Sequence, residues 1–114
     1  MDDETPLDPR RDGLPPEEWS TYRFLGRLQT LPWVEAIYLF GSRATRTHRA
    51  RSDIDLAIFC PDANEQEWRQ ILEIVEEADT LLGIDCVRLD AEPPQSPLRR
   101  NIEKNRRLLY ERGR

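Results

Sequence analysis

Three short apolar runs set the limits on how this chain folds. Val34–Phe40 (VEAIYLF), Asp53–Phe59 (DIDLAIF) and Ile84–Leu89 (IDCVRL) are rich in β-branched and aromatic residues, the composition of buried strands. Helical patterns lie between and around them. Pro15-Pro16-Glu17-Glu18 opens a helix, with proline in the first turn and acids at the positive end of its dipole. Trp19, Tyr22, Leu25 and Leu28 continue it as a stripe that Leu31-Pro32 ends. Glu65 to Leu82 predicts a second helix, with Trp68, Ile71, Leu72, Val75, Ala78 and Leu82 on one side. Pro61, Asp62 and Asn64 offer its start and Gly83 its stop. After Pro93, Pro94 and Pro97, Leu98–Tyr110 reads as a basic last helix or a helix with an extension, Leu98, Ile102 and Leu109 facing the core. Strands interleaved with helices predict an α/β fold, a small mixed sheet with flanking helices.

Composition narrows the function classes. The chain has 114 residues, one domain's worth, with no expected room for a second, substrate-binding domain. Residues 1–14 carry Asp2, Asp3, Glu4, Asp8 and Asp12 broken by Pro6 and Pro9, the pattern of a flexible acidic tail. Residues 15–114 form the expected domain. Seventeen basic and 22 acidic side chains leave a net charge of −5, which argues against coating nucleic acid through a basic field, and nothing in the chain suggests sequence-specific DNA readout. The start at Met1-Asp2-Asp3-Glu4 is unlike a signal peptide, and no apolar run is long enough for a membrane span. Cys60 and Cys86 sit inside apolar runs without ligand spacing, as reduced core thiols of a cytoplasmic protein do.

The chemistry concentrates in Gly41–Asp55, GSRATRTHRARSDID. Asp53 and Asp55 are two apart on a strand, so their carboxylates share one face while Ile54 and Leu56 face away. Paired like charges call for water or a cation, and a hard divalent ion such as Mg²⁺ takes oxygen ligands. A bare Asp-x-Asp is more often a solvated strand end. Gly41-Ser42 closes the preceding strand; glycine permits a sharp turn and serine adds a hydroxyl. Exposed N–H groups there would cradle phosphate oxygens, although an ordinary strand-ending turn looks the same.

Topology joins the two features. If Val34–Phe40 and Asp53–Phe59 are antiparallel neighbours, Gly41-Ser42 faces Asp53 and Asp55. A right-handed crossover through the second helix makes the third strand parallel to the second, and Asp85 then falls beside the pair. Asp90, five residues later, faces the other side at the wrong end. Arg43, Arg46, Arg49 and Arg51 crowd the intervening loop; near a triphosphate they would neutralise charge, and singly each is more often a solvated arginine. His48, the only histidine, reads as an exposed loop residue.

These residues resemble the nucleotidyltransferase signature, Gly-Ser followed by ten residues and Asp-x-Asp. Here Gly41-Ser42 precedes Arg43 through Ser52 and then Asp53-Ile54-Asp55. GSRA…SDIDLAIF is similar to the minimal nucleotidyltransferases (MNT) of the polymerase-β-like superfamily. IDCVRLD resembles that family's third-aspartate strand and NIEKNRRLLYER its C-terminal segment, so the likeness spans roughly residues 34–112. The resemblance implies an α-β-β-α-β-α fold. It implies that Asp53, Asp55 and Asp85 hold metal, two Mg²⁺ ions activating the attacking oxygen and stabilising pyrophosphate, and that Asp85 helps deprotonate the acceptor. Gly41 and Ser42, with Arg43 beside them, would bind the nucleotide, ATP in the leading case.

Minimal members are commonly paired with an all-helical HEPN-type protein as antitoxin and toxin. The resemblance therefore implies a hetero-oligomer and transfer of AMP to a tyrosine of the toxin. Two other readings stand beside it. One is a module that neutralises its partner by stoichiometric contact, through the tail or the last helix. The other is a nucleotidyltransferase acting on a small molecule, which needs a pocket that one small domain lacks.

Overall fold

The computed structural model describes residues 22–47 and 53–113. The expected tail, the helix start at Pro15–Glu18, Trp19, His48, Arg49 and Arg51 lie outside them. Helix α1 (Arg23–Gln29) leads into strand β1 (Ala36–Phe40), a one-turn helix α2 (Ser42–Thr45) and strand β2 (Ile54–Phe59). Helix α3 (Glu65–Glu76), strand β3 (Ile84–Arg88), a 3₁₀ turn at Leu89–Ala91, helix α4 (Pro97–Asn105) and strand β4 (Arg107–Glu111) follow.

The strands form one mixed sheet in the order β3-β2-β1-β4. β1 is antiparallel to β2, with Phe40 opposite Asp55 and Ala36 opposite Phe59. β2 and β3 are parallel, Asp55 level with Asp85. Both pairings are those expected from the sequence. Alternation then sorts the side chains. Ile37, Leu39, Ile54, Leu56 and Ile58 point to one face and pack with Phe24, Leu25 and Leu28 of α1 and Ile71, Ile74 and Val75 of α3. Phe40 and Ala57 point to the other, under Leu89 and Ile102 of α4.

Two boundaries differ from expectation. The second helix starts where Asn64 predicts: Asn64 Oδ1 accepts from the Glu67 amide at 2.8 Å, and the Asn64 amide donates to Glu67 Oε1 at 2.9 Å. This reciprocal box satisfies two otherwise orphaned donors. The helix ends at Glu76, six residues before Leu82. The cause is Asp79, whose carboxylate accepts the Arg23 and Phe24 amides at 3.2 and 3.4 Å and so caps α1 from another element. The Thr80 hydroxyl then accepts the Leu82 amide, and Leu81 points into solvent. Ala78 and Leu82 still reach the core, so the apolar spacing outlasts the helix that produced it.

The C-terminal segment also departs from a single helix. Ser96 caps α4 by accepting the Arg99 amide at 2.9 Å, with Pro97 in the first turn. Beyond Asn105, Arg106 is extended, and Arg107–Glu111 pairs antiparallel with β1 across a bulge between Ile37 and Tyr38. Ile102 is fully buried on the α4 face, whereas Leu109 and Tyr110 pack on the α1–α3 face. No one helix reaches both faces of a sheet. Leu98 is partly exposed rather than buried.

Both cysteines are free, Cys60 buried and Cys86 partly so. Burial pushes each thiol up to about 12. Among the described residues, no helix is long and apolar enough to cross a membrane.

Candidate active site

Asp55 and Asp85 come together because β2 and β3 are parallel and in register. Both sit near the N-terminal ends of their strands, on the α4 face, close enough for the charge of Asp85 to act on Asp55. Burial, then the nearby charges of Asp85 and Asp53 raise Asp55 to about 6, while Arg43 pulls the other way. Asp53 stands one residue before β2, whose Ile54 amide donates to the Gly83 carbonyl at 2.8 Å.

Two glycines let the backbone close on these acids. Gly41 has φ 73° and ψ −157°, a conformation essentially restricted to glycine. A β-carbon there would collide with Asp55 Oδ2 and stand 3.0 Å from Asp55 Cγ. At Gly83 a β-carbon would stand 2.7 Å from Asp53 Oδ1. Gly83 thus makes room for Asp53, and the helix stops well before it. Its signal was already in the strand pairing: parallel register that sets Asp85 beside Asp55 sets Gly83 beside Asp53.

Gly41-Ser42 runs into α2 instead of an open loop. The Ser42 carbonyl accepts the amides of Arg46 and Thr47, the latter at 2.9 Å. Arg43 turns inward and is 6% exposed, the only buried charged side chain among the described residues. Burial lowers its pKa, and the proximity of Tyr22 and Asp55 opposes that. It lies within electrostatic reach of Asp55, beside the Gly41-Ser42 turn.

Asp90 is at the far end of the sheet, after β3. It accepts the Cys60 amide at 2.8 Å and pairs with Arg88 Nε at 2.9 Å. Arg88 Nη2 donates to the carbonyls of Cys60 and Ala63 at 3.0 and 2.8 Å. This clamp ties the end of β2 to β3 and gives Asp90 structural work away from Asp55.

The donor set suits a hard cation: carboxylate oxygens are what Mg²⁺ takes, and bound charge would relieve the crowding that raises Asp55. Among the described residues, however, no group of three His, Cys, Asp or Glu side chains stands ready-made to hold a metal. What the fold closes is the Asp55–Asp85 pair, with Asp53 and the Gly41 turn at its border.

A glycine turn closing on in-register carboxylates at one end of a mixed sheet is the geometry to set beside known folds. The family model "Polymerase beta, Nucleotidyltransferase" matches residues 26–114, and the chain belongs to that family. Its domain is a nucleotidyltransferase domain. Solved structures share the fold. A chain of a toxin–antitoxin complex with AMP-PNP is 22% identical, with a TM-score of 0.59 covering 80% of this chain and 73% of that one. A putative nucleotidyltransferase from Sulfolobus solfataricus is 20% identical, with a TM-score of 0.52 over 79% of this chain and 76% of that one. A chain from the complex of tri-AMPylated Shewanella oneidensis HEPN toxin with MNT antitoxin is also 20% identical, with a TM-score of 0.52 over 78% and 68%. Among curated proteins none matches the sequence.

Proposed function

We propose that this chain transfers a nucleoside monophosphate, AMP from ATP, to a tyrosine hydroxyl of a HEPN-type partner protein and thereby acts as the antitoxin of a toxin–antitoxin pair in the cytoplasm. The observation that carries this reading is the register of Asp55 with Asp85 beside the glycine turn at Gly41. The AMP-PNP complex and the AMPylated HEPN toxin among the similar folds support the choice of nucleotide and partner.

In this reading Asp53, Asp55 and Asp85 hold Mg²⁺, and Gly41 and Ser42 border the polyphosphate. When bound, Mg²⁺ supplies positive charge against the triphosphate and the leaving pyrophosphate. Asp85, level with Asp55 on the neighbouring parallel strand, takes the proton of the attacking hydroxyl. Buried Arg43 keeps a positive charge close to Asp55 and so favours its ionised, ligating form. AMP leaves ATP as the acceptor oxygen attacks the α-phosphorus, and the bond to pyrophosphate breaks.

A second reading is a module that silences its partner by contact alone. The absence of a ready-made three-residue metal cluster among the described residues favours it. Incubation with ATP labelled at the α-phosphate, Mg²⁺ and the partner separates the two. Transfer predicts label on the partner, lost with Asp53→Ala/Asp55→Ala. Silencing without label, kept by that double variant, identifies the contact module.

A further inference from the structure

The charges of the two outer helices are segregated by sheet face. Helix α3 packs on one face through Ile71, Ile74 and Val75, and the stretch Glu65–Asp79 holds six acidic side chains against Arg69 alone. Helix α4 packs on the other face through Ile102, and Pro97–Arg112 holds six basic side chains against Glu103 and Glu111. One outer surface is therefore acidic and the other basic. Arg100 and Lys104 are exposed, four residues apart on the side of α4 turned away from Ile102. Arg106 follows, also exposed, its guanidinium 4.3 Å over the Tyr38 ring. Among the described residues no carboxylate pairs with any of these three, while Arg27, Arg88 and Arg99 each pair with one.

The acidic side carries a groove. It lies between α1 and α3 with a volume of about 550 Å³, and its lining includes Thr30, Gln70, Glu73 and the Arg27–Glu77 ion pair. Arg27 neutralises Glu77, which leaves Glu73 as the groove's uncompensated acid, with exposed Glu76 one turn further on. Side chains three or four apart on a helix stand about 5–6 Å from one another, so Glu73 and Glu76 match the spacing of Arg100 and Lys104. We infer that the basic α4 surface of one copy docks on the acidic α1–α3 groove of a second copy, with Arg100 and Lys104 facing Glu73 and Glu76. Each surface repels its own kind and attracts the other, so the contact runs head to tail. An acidic and a basic surface stay open at the two ends, and assembly continues past a pair unless the rotation closes a ring. The inference goes beyond nucleotide transfer and does not depend on it.

Sedimentation of the full chain over a range of concentration and salt tests this, with charge-reversed variants beside it. Wild type is expected to assemble as concentration rises at low salt and to return to single chains at about 1 M salt, where the screening length is roughly 3 Å. Glu73→Lys/Glu76→Lys and Arg100→Glu/Lys104→Glu should each lower the association constant by about tenfold or more, since each sets like charges against one another. An equal mixture of the two double variants should regain association, because each reversed surface then meets its opposite. The substituted side chains are exposed, and unchanged melting shows that the variants fold; the salt series on wild type tests the inference without any substitution. Wild type that stays a single chain at every concentration in low salt overturns the inference, as does assembly that ignores salt or a mixture that regains nothing. Double variants that assemble as wild type does but lose the HEPN-type partner give these surfaces to the partner and overturn it too.

Discussion

At the residue scale, the carboxyl cluster makes a prediction with a definite sign. The carboxyl of Asp55 is raised from 3.8 to about 6, so the metal-free fold prefers it protonated. Its contribution to stability is present below the unfolded value and is lost as pH rises through about 6. Metal-free wild type should therefore melt higher near pH 5 than near pH 7, relative to Asp55→Asn, in which this dependence flattens. Mg²⁺ should reverse the trend in wild type, since it binds the ionised form, and should leave Asp55→Asn unmoved; a pH series of melts with and without Mg²⁺ reads both. Gly41→Ala should be worse than its size suggests. It combines a forbidden backbone conformation with a collision on the Asp55 carboxyl, costing roughly 2–3 kcal/mol. Gly83→Ala meets only the movable end of Asp53. It should fold nearly as well as wild type by denaturant titration while losing Mg²⁺ affinity. The three acids were legible in the sequence because alternation and crossover handedness are strict rules. Gly83 was not, because glycine after an apolar helix stripe also reads as a stop. The burial of Arg43 near Asp55 was not legible, because nothing local shows that a charged side chain will be buried.

At the scale of elements, caps outranked periodicity. Asn64 was legible as a start because its capping box is local to the sequence. Asn64→Ala should cost about 1 kcal/mol and leave nucleotide transfer intact, since it sits at the opposite end of β2 from Asp55; parallel denaturation and transfer assays check this. The early end of α3 was not legible. It depends on Asp79 bonding amides of α1 more than fifty residues away, a tertiary contact that no window of sequence contains. β4 was hidden for a related reason. Arg107–Glu111 pairs with β1 across a bulge, so Leu109 and Tyr110 fall on the same core face and mask the alternation by which a strand is recognised.

At the scale of the molecule, sheet order places the chemistry. β1 and β2 are central, and the chain crosses from β2 through α3 into parallel β3. That path brings the glycine turn after β1, the acids of β2 and the acid of β3 to one end of the sheet. The Arg88–Asp90 clamp holds the other end. The net charge of −5 describes none of this, because Asp53, Asp55 and Asp85 are grouped at one end of the sheet with buried Arg43 near Asp55. The most direct test is the intact mass of the HEPN-type partner after co-expression with this chain. The account predicts a gain of one or more AMP units, mapped to tyrosine, and an unmodified partner with Asp53→Ala/Asp55→Ala. A partner silenced at its unmodified mass by the wild-type chain would contradict it.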